Sequence, residues 1–187
     1  MTIFLGGSVL VIDFNFVVLI CFITIYVLSR TLICFIKGKN LSLRNEVINF
    51  GLYMSIVAII AATLFPIRFN HPYKGFEIYN LIPLKVPIQI FMKYSFGYFL
   101  YQTLGNIALF IPCGFFVYLK SNFNFKKTII SCFFLTLLVE FTQGFIPYRF
   151  CEIDDLWLNT LGGFLGAKLY MKYIKIYCKY KKSSNIN

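Results

Sequence analysis

The fold is decided by one stretch, Arg149-Phe-Cys-Glu152-Ile-Asp154-Asp155-Leu-Trp-Leu-Asn159-Thr160-Leu-Gly162-Gly163-Phe-Leu-Gly166. It begins as a polar segment, the acidic loop (149–155), and continues into an apolar segment rich in small residues. Three of the 7 acidic residues of the chain lie in this loop. Carboxylates at the mouth of a membrane helix are unfavourable unless they are paired or used. The stretch therefore predicts the functional rim of an integral membrane protein.

The composition of the whole chain also indicates a membrane protein. Of 187 residues, 59% are hydrophobic and 13% are charged, and the mean hydropathy is +0.75. Soluble domains carry about 25% charged residues, so this chain is too apolar to fold as one. The net charge of +11 comes mostly from short loops and the C-terminal tail. That distribution is typical of membrane topology and of anionic lipid headgroups, so we expect no nucleic-acid partner.

Apolar segments near the spanning length of roughly 20 residues predict an all-α bundle of about five transmembrane helices. The predicted helices are 14–36, 47–67, 95–119, 128–148 and 155–174. Asp13 is expected to cap the first helix, and Arg30 to extend toward the nearer membrane surface. The connection at 68–94 contains the only histidine, His71, which we expect to be a loop residue. Its prolines exclude a full span, so this connection should lie on or dip into the membrane interface.

Lysine and arginine are divided unevenly between the two ends of the predicted bundle. One end holds basic loops at 37–44 and 120–127 and the tail after 172, and the other end holds the acidic loop. Because loops rich in Lys and Arg stay in the cytoplasm, we expect the N-terminus outside and the C-terminus in the cytoplasm. The chain then divides into an N-terminal helix with its basic loop (1–46), a membrane domain (47–174) and a cytoplasmic tail (175–187).

Polar side chains recur at helical spacing within the third, fourth and fifth predicted helices. Glu140 would lie roughly 12 Å below its helix end at 1.5 Å per residue, so it should be protonated, paired or exposed to water. We expect these helices to converge on one outward-opening polar cavity, with Arg149 as the charge partner of Glu140 or of the loop acids. The candidate binding residues are Asn106, Glu140, Gln143, Arg149, Glu152, Asp154, Asp155 and Asn159.

Small residues predict close helix packing rather than ligand contact, because they let another helix approach. A proline inside the third predicted helix should kink it. The predicted packing residues are Pro112, Gly114, Gly162, Gly163 and Gly166. The candidate binding residues have a structural alternative as well, since Asn, Gln and Glu also serve as hydrogen-bond links between membrane helices.

The ordered set of these motifs resembles the VanZ-like family of bacterial membrane proteins. The resemblance rests on Asn80-Leu-Ile-Pro83, Asn106-x-x-x-Phe110-x-Pro112-x-Gly114-Phe115, Glu140-x-x-Gln143, Arg149-x-x-Glu152-x-Asp154-Asp155 and Asn159-Thr160-x-Gly162-Gly163-x-x-Gly166. One departure is Glu152, where the family usually has Asp. The resemblance makes 47–174 the VanZ-like domain and implies a small multi-pass protein of the cell membrane.

The resemblance implies no settled reaction and no cofactor, and the metal content of the site is left unknown. The founding member is associated with low-level resistance to the glycopeptide teicoplanin, so resistance is one implied role. Our first hypothesis is a non-enzymatic envelope protein that binds a lipid or lipoglycopeptide headgroup. The alternatives are a membrane-embedded enzyme with a carboxylate-bound divalent cation and a small lipid transporter or flippase. No nucleophile–base pair is recognisable in the sequence, which disfavours the enzyme.

The expected partners follow from the same hypothesis. A headgroup site requires a membrane lipid or a lipid-linked envelope precursor as its ligand. The glycine-rich face of the fifth predicted helix also offers a surface for a second copy of the chain, so a homo-oligomer is expected as an option.

Overall fold

The computed structural model describes residues 10–37, 42–69, 79–93, 95–146 and 149–184. They form six helices: α1 (Phe16–Lys37), α2 (Leu43–Leu64), α3 (Lys85–Lys93), α4 (Phe96–Lys120), α5 (Phe125–Gln143) and α6 (Ile153–Ser184). Two pairs of short strands join them: β1 (Leu10–Ile12) antiparallel to β2 (Ile67–Phe69), and β3 (Tyr79–Asn80) parallel to β4 (Cys151–Glu152). The predicted all-α architecture is confirmed, with these strands as additions.

Five of the six helices correspond to the predicted ones, but α2 and α5 have different ends. α2 begins at Leu43 rather than at 47, with Glu46 in its first turn, where a carboxylate suits the positive end of the helix dipole. It ends at Leu64, two residues before Pro66, because the residue preceding a proline disfavours the helical conformation. α5 ends at Gln143 instead of 148, at a glycine. Glycine is a poor helix former, so the chain turns there.

The last helix is longer than predicted. α6 has 32 residues and continues ten residues past the predicted end at 174. Lysine is a good helix former, so the helix continues after the apolar segment has ended. Much of the predicted cytoplasmic tail is therefore helical.

Three helical segments of the described chain are long and apolar enough to cross a membrane: Phe16–Ile36, Leu43–Leu64 and Phe96–Lys120. α5 is not among them, since its 19 residues include Lys126, Lys127 and Glu140. α6 starts with two acids and ends in a lysine-rich segment. These helices support a helical membrane protein, whereas the span count of five and the orientation stay predictions.

The first helix contacts the bundle through α2. Asn15, and not the expected Asp13, caps α1, because its Oδ1 accepts hydrogen bonds from two backbone N–H groups of the first turn. Arg30, expected to extend toward the membrane surface, forms an ion pair with Glu46 of α2, with Nε 2.8 Å from Oε2. The sequence analysis did not consider Glu46 as a partner. The pair neutralises the charge of Arg30 within its predicted span.

The packing of α4 on α6 positions the start of α6. Gly114 faces the backbone of Gly163 so closely that a Cβ on Gly114 would overlap it. A Cβ at Gly162 or Gly166 would overlap carbonyl oxygens of α4. These glycines let the two helix backbones approach each other, as small residues do between membrane helices. Pro112 lies inside α4 on an exposed face, and the kink expected there stays a prediction.

The long connection before α4 contains a short helix. α3 has nine residues, far fewer than the roughly 20 that span a membrane. Pro87 lies in its first turn, where the missing N–H has no intrahelical partner to lose. Phe91 and Met92 are exposed on this helix, which is typical of a segment at a membrane interface. His71 lies outside the described residues.

Candidate functional site

A polar cavity of about 240 Å³ lies at one end of the bundle, where α2 and α5 end and α4 and α6 begin. α3 contributes Val86, Pro87 and Ile90 to its wall. Of the eight predicted binding residues, those that line the cavity are Asn106, Gln143, Arg149, Glu152, Asp154 and Asp155. The structure therefore brings together most of the predicted site.

Glu140 is not among the residues that line the polar cavity. Its side chain is 2% exposed, and Oε2 accepts a hydrogen bond of 2.9 Å from the backbone N–H of Glu152. Glu152 belongs to β4, which also pairs with β3 at Asn80. Glu140 thus stabilises the cavity wall without lining it, because it holds the strand that contains Glu152.

Asn159 also lies outside the polar cavity. It is 2% exposed, and its Nδ2 donates to Thr136 Oγ1 of α5 at 2.8 Å. Both side chains are buried, so this bond links α6 to α5 inside the bundle. The contact corresponds to the structural alternative, a hydrogen-bond link between membrane helices.

Asp154 connects the start of α6 to the segment before α3. Its Oδ1 accepts from the backbone N–H of Leu84 at 2.8 Å and from Trp157 Nε1 at 3.1 Å. Leu84 has φ of 63°, a left-handed conformation that is rare for a bulky residue. Asp154 is 1% exposed, and its Oδ2 has no hydrogen-bond partner within the described part of the chain. This carboxylate therefore holds α3 against the polar cavity.

Two amide side chains on the cavity wall donate to protein acceptors. Asn106 of α4 donates a short hydrogen bond from Nδ2 to Asp155 Oδ1 of α6. Gln143 donates from Nε2 to the carbonyl oxygen of Thr63 at 3.0 Å, while its Oε1 is buried without a partner in the described segments. The first of these bonds joins two of the helices that were expected to converge.

Arg149 lies at the edge of the polar cavity, beside the end of α2. Its Nη2 donates a short hydrogen bond to the carbonyl oxygen of Phe65. This contact ties the acidic loop to α2. The expected pairing of Arg149 with Glu140 or with a loop acid stays a prediction.

The polar cavity is dominated by negative charge, with three carboxylates and one guanidinium on its wall. Burial, followed by the charges of Asp155 and Asp154, raises the pKa of Glu152 to about 7. Burial also raises the pKa of the neighbouring Cys151 to about 11. Within the described ranges, no group of three His, Cys, Asp or Glu side chains is placed to hold a metal ion. The divalent-cation hypothesis therefore gains no support from these residues.

Sequence reasoning missed the walls that α2 and α3 contribute. Thr63, Val86 and Ile90 line the polar cavity but belong to segments predicted as a span end and a connection. Gln102 also lines the polar cavity, four residues before Asn106 and thus on the same face of α4, but it is not among the predicted binding residues. One signal for α3 was available, since the polar residues Lys85, Gln89 and Lys93 recur every four positions among apolar ones, which is helical spacing.

The fold and the site define a helical membrane protein with an acid-lined polar cavity at one end of its bundle. The family model VanZ/LLP1 matches residues 50–176. The chain therefore belongs to the VanZ-like family, and the resemblance inferred from its motifs is confirmed. Protein VanZ of Enterococcus faecium is 36% identical over 74 residues, or 37% of this chain, and the chain spans 44% of that relative's length. No solved structure matches the chain.

Proposed function

We propose that the chain is a multi-pass protein of the bacterial cell membrane that binds the polar headgroup of a membrane lipid or lipid-linked envelope precursor. The observation that carries the proposal is the polar cavity itself, which gathers side chains from the ends of α2 and α5 and the starts of α4 and α6. Such a constellation of charged groups between apolar helices is a functional site by default, because unused charges there are unfavourable.

The size of the polar cavity favours a headgroup over a larger ligand. At about 240 Å³, it is smaller than the roughly 300–1,000 Å³ typical of sites for drug-sized molecules. A headgroup fits this volume, and the acyl chains of a lipid can extend along the apolar helices outside it. A complete glycopeptide does not fit. Any contribution to teicoplanin resistance would then act through an envelope lipid or precursor, and not through capture of the whole drug in this cavity.

The surroundings of the polar cavity are suited to a lipid. α3 lines one side and exposes Phe91 and Met92 away from it, so an apolar surface lies next to the polar one. An amphipathic arrangement of this kind matches a molecule with a polar head and apolar chains. No contact in the described residues favours the enzyme or the flippase over headgroup binding.

Thermal unfolding of the purified protein in detergent tests the proposal. We expect at least one lipid from a panel of phosphatidylethanolamine, phosphatidylglycerol, cardiolipin and lipid-linked wall precursor to raise the Tm. Asp155→Asn, in the polar cavity, should abolish the increase. Asp13→Asn makes the same chemical change at an exposed position outside the cavity and should retain it. A panel without any shift, or a shift that Asp155→Asn leaves intact, would contradict headgroup binding in this cavity.

A further inference from the structure

Hydrogen-bond acceptors remain available on the cavity wall, whereas several of its donors are already used. The carboxylates of Glu152, Asp154 and Asp155 accept only, when ionised. The amide donors of Asn106 and Gln143 both point to protein oxygens. A ligand that enters the polar cavity therefore meets the oxygen atoms of three carboxyl groups, with the Arg149 guanidinium at the edge of the cavity.

Two oxygen atoms on this wall have no hydrogen-bond partner among the residues that the structure describes. Asp154 Oδ2 and Gln143 Oε1 are buried and accept no hydrogen bond from any described residue. Their side chains are 1% and 7% exposed, respectively, and both residues line the polar cavity. Buried acceptors without a donor are unfavourable and are rare in native proteins. A donor-rich ligand would supply the donors that these two oxygens lack.

We infer that the headgroup bound in the polar cavity carries a primary ammonium group, an inference that rests on the proposed headgroup binding. A primary ammonium has three donors and no acceptor, which matches a wall rich in acceptors. Its positive charge also offsets the negative charge of the ionised carboxyl groups. The ammonium belongs either to an aminophospholipid or to an amino-bearing lipid-linked envelope precursor, and the chemistry of recognition is the same for both.

Other headgroup chemistries match the wall less well. An uncharged sugar or glycerol brings hydroxyl acceptors as well as donors and leaves the carboxylate charge unbalanced. A purely anionic headgroup is repelled by the same carboxylates. Arg149 lines the cavity too, and a guanidinium suits a phosphate. A phosphate adjacent to the ammonium, as in a zwitterionic headgroup, would thus meet charge of the opposite sign.

The test compares headgroups that differ at the ammonium group, in titrations of the full chain in nanodiscs followed by native mass spectrometry. The probes are phosphatidylethanolamine, its N-acetylated form, phosphatidylcholine and phosphatidylglycerol, all with the same acyl chains. A second arm uses an amino-bearing lipid-linked precursor and its N-acetylated form. We expect the ammonium form in at least one arm to bind at least tenfold more tightly than its N-acetylated form, and phosphatidylglycerol to bind weakly.

Two variants test whether the preference for the ammonium form arises in the polar cavity. Asp154→Asn keeps the shape of the side chain but replaces one acceptor oxygen with a donor, so it should reduce the preference for the ammonium form by about tenfold. Asp13→Asn, outside the cavity, should leave the preference unchanged. The comparison of probes on the wild-type protein needs no variant, so it remains decisive if Asp154→Asn does not fold.

The outcomes separate this inference from the proposed function. Loss of binding on N-acetylation in the first arm supports the ammonium inference and identifies an aminophospholipid as the source of the ammonium. Loss of binding in the second arm alone supports the inference and identifies a lipid-linked precursor as the source. Equal binding of the ammonium and N-acetylated forms overturns it while leaving headgroup binding intact, provided that Asp155→Asn still abolishes binding. Equal binding of phosphatidylcholine would overturn the requirement for N–H donors. Absence of binding in both arms would contradict the proposed function as well.

Discussion

The carboxylate of Asp154 accepts a hydrogen bond of 2.8 Å from the backbone N–H of Leu84, 70 positions earlier in the chain. This bond joins the first turn of α6 to the turn that precedes α3. Because both helices line the polar cavity, the bond sets the distance between two of its walls. It also holds Leu84 at φ of 63°, a conformation that its own side chain disfavours.

Removing the Asp154 carboxylate should destabilise the protein. Asp154→Ala leaves the Leu84 N–H and the Trp157 Nε1–H without their acceptor. Both residues are about half exposed, so the loss should lie near the lower end of the roughly 1–3 kcal/mol that a buried unsatisfied donor costs. Asp154→Asn can keep the oxygen that accepts both bonds, so its cost should be smaller. Thermal unfolding in detergent measures both variants. Equal losses for the two would show that this acceptor does not stabilise the turn.

Glycine at position 84 should be tolerated. A left-handed conformation costs roughly 1–2 kcal/mol for an L-residue other than glycine, and glycine adds about 0.5–1 kcal/mol of chain entropy. Leu84 is half exposed, so about half of the roughly 1.5–3 kcal/mol of a fully buried leucine is lost with the side chain. The relieved strain offsets these losses, so Leu84→Gly should be close to neutral. Leu81→Gly is the control, because Leu81 is exposed and lacks a positive φ; it should destabilise.

Alanine at Gly114 should be much less stable than alanine at Gly105 on the same helix. A Cβ at Gly114 would overlap the backbone of Gly163, which cannot rotate away, whereas a Cβ at Gly105 meets nothing within 4 Å. Overpacking costs typically about 1–3 kcal/mol, while Gly→Ala in an open helix position gains up to about 1 kcal/mol. Thermal unfolding of the two variants should therefore shift in opposite directions. A neutral Gly114→Ala would mean that α4 and α6 are further apart than described.

Sequence periodicity places Glu140 and Gln143 on one face of a helix, but it does not show that they have different environments. The predicted helix end at 148 puts Glu140 roughly 12 Å deep, whereas the observed end at Gln143 leaves it about 4.5 Å below that end, at 1.5 Å per residue. At that depth it reaches the returning chain and bonds the N–H of Glu152. The error in the predicted helix end therefore changed the predicted depth of Glu140, although its helix face was predicted correctly.

The contribution of α3 to the cavity wall was harder still to predict, because it depends on contacts between positions that are far apart in the sequence. The parallel pairing of β3 with β4 aligns Asn80 with Glu152. Nothing in the residue type of Leu84 indicates a positive φ, since that conformation is favoured for Gly and Asn and not for Leu. Helical periodicity reports which side chains share a face. It does not report which turn a buried carboxylate will hold.

Glu152 should make the stability of the protein depend on pH. Its pKa is raised from 4.5 to about 7, first by burial and then by Asp155 and Asp154. The folded state therefore holds a proton that the unfolded state has released between pH 4.5 and 7. Stability should be highest below pH 4.5 with respect to this group and should fall as the pH rises through 7. Because the side chain is partly exposed, the loss should amount to about 1–2 kcal/mol after solvent screening.

Unfolding temperatures measured from pH 5 to 8 test the role of Glu152. Glu152→Gln cannot ionise, so its unfolding temperature should fall less over this range than that of the wild-type protein. Asp13→Asn, at an exposed position, should follow the wild type. A Glu152→Gln profile that is parallel to the wild-type profile would assign the pH dependence to another group.

Expression of the chain in a teicoplanin-susceptible Gram-positive host tests the role that the VanZ-like family implies. If headgroup binding in the polar cavity alters the envelope, the concentration of teicoplanin that inhibits growth should rise with the wild-type chain and with Asp13→Asn. Asp155→Asn should cancel the increase, since Asp155 lies in the cavity and accepts from Asn106. Membrane fractions must contain equal amounts of the three proteins. If Asp155→Asn still raises the inhibitory concentration, resistance does not depend on the polar cavity. If the wild-type chain leaves susceptibility unchanged, headgroup binding does not confer resistance.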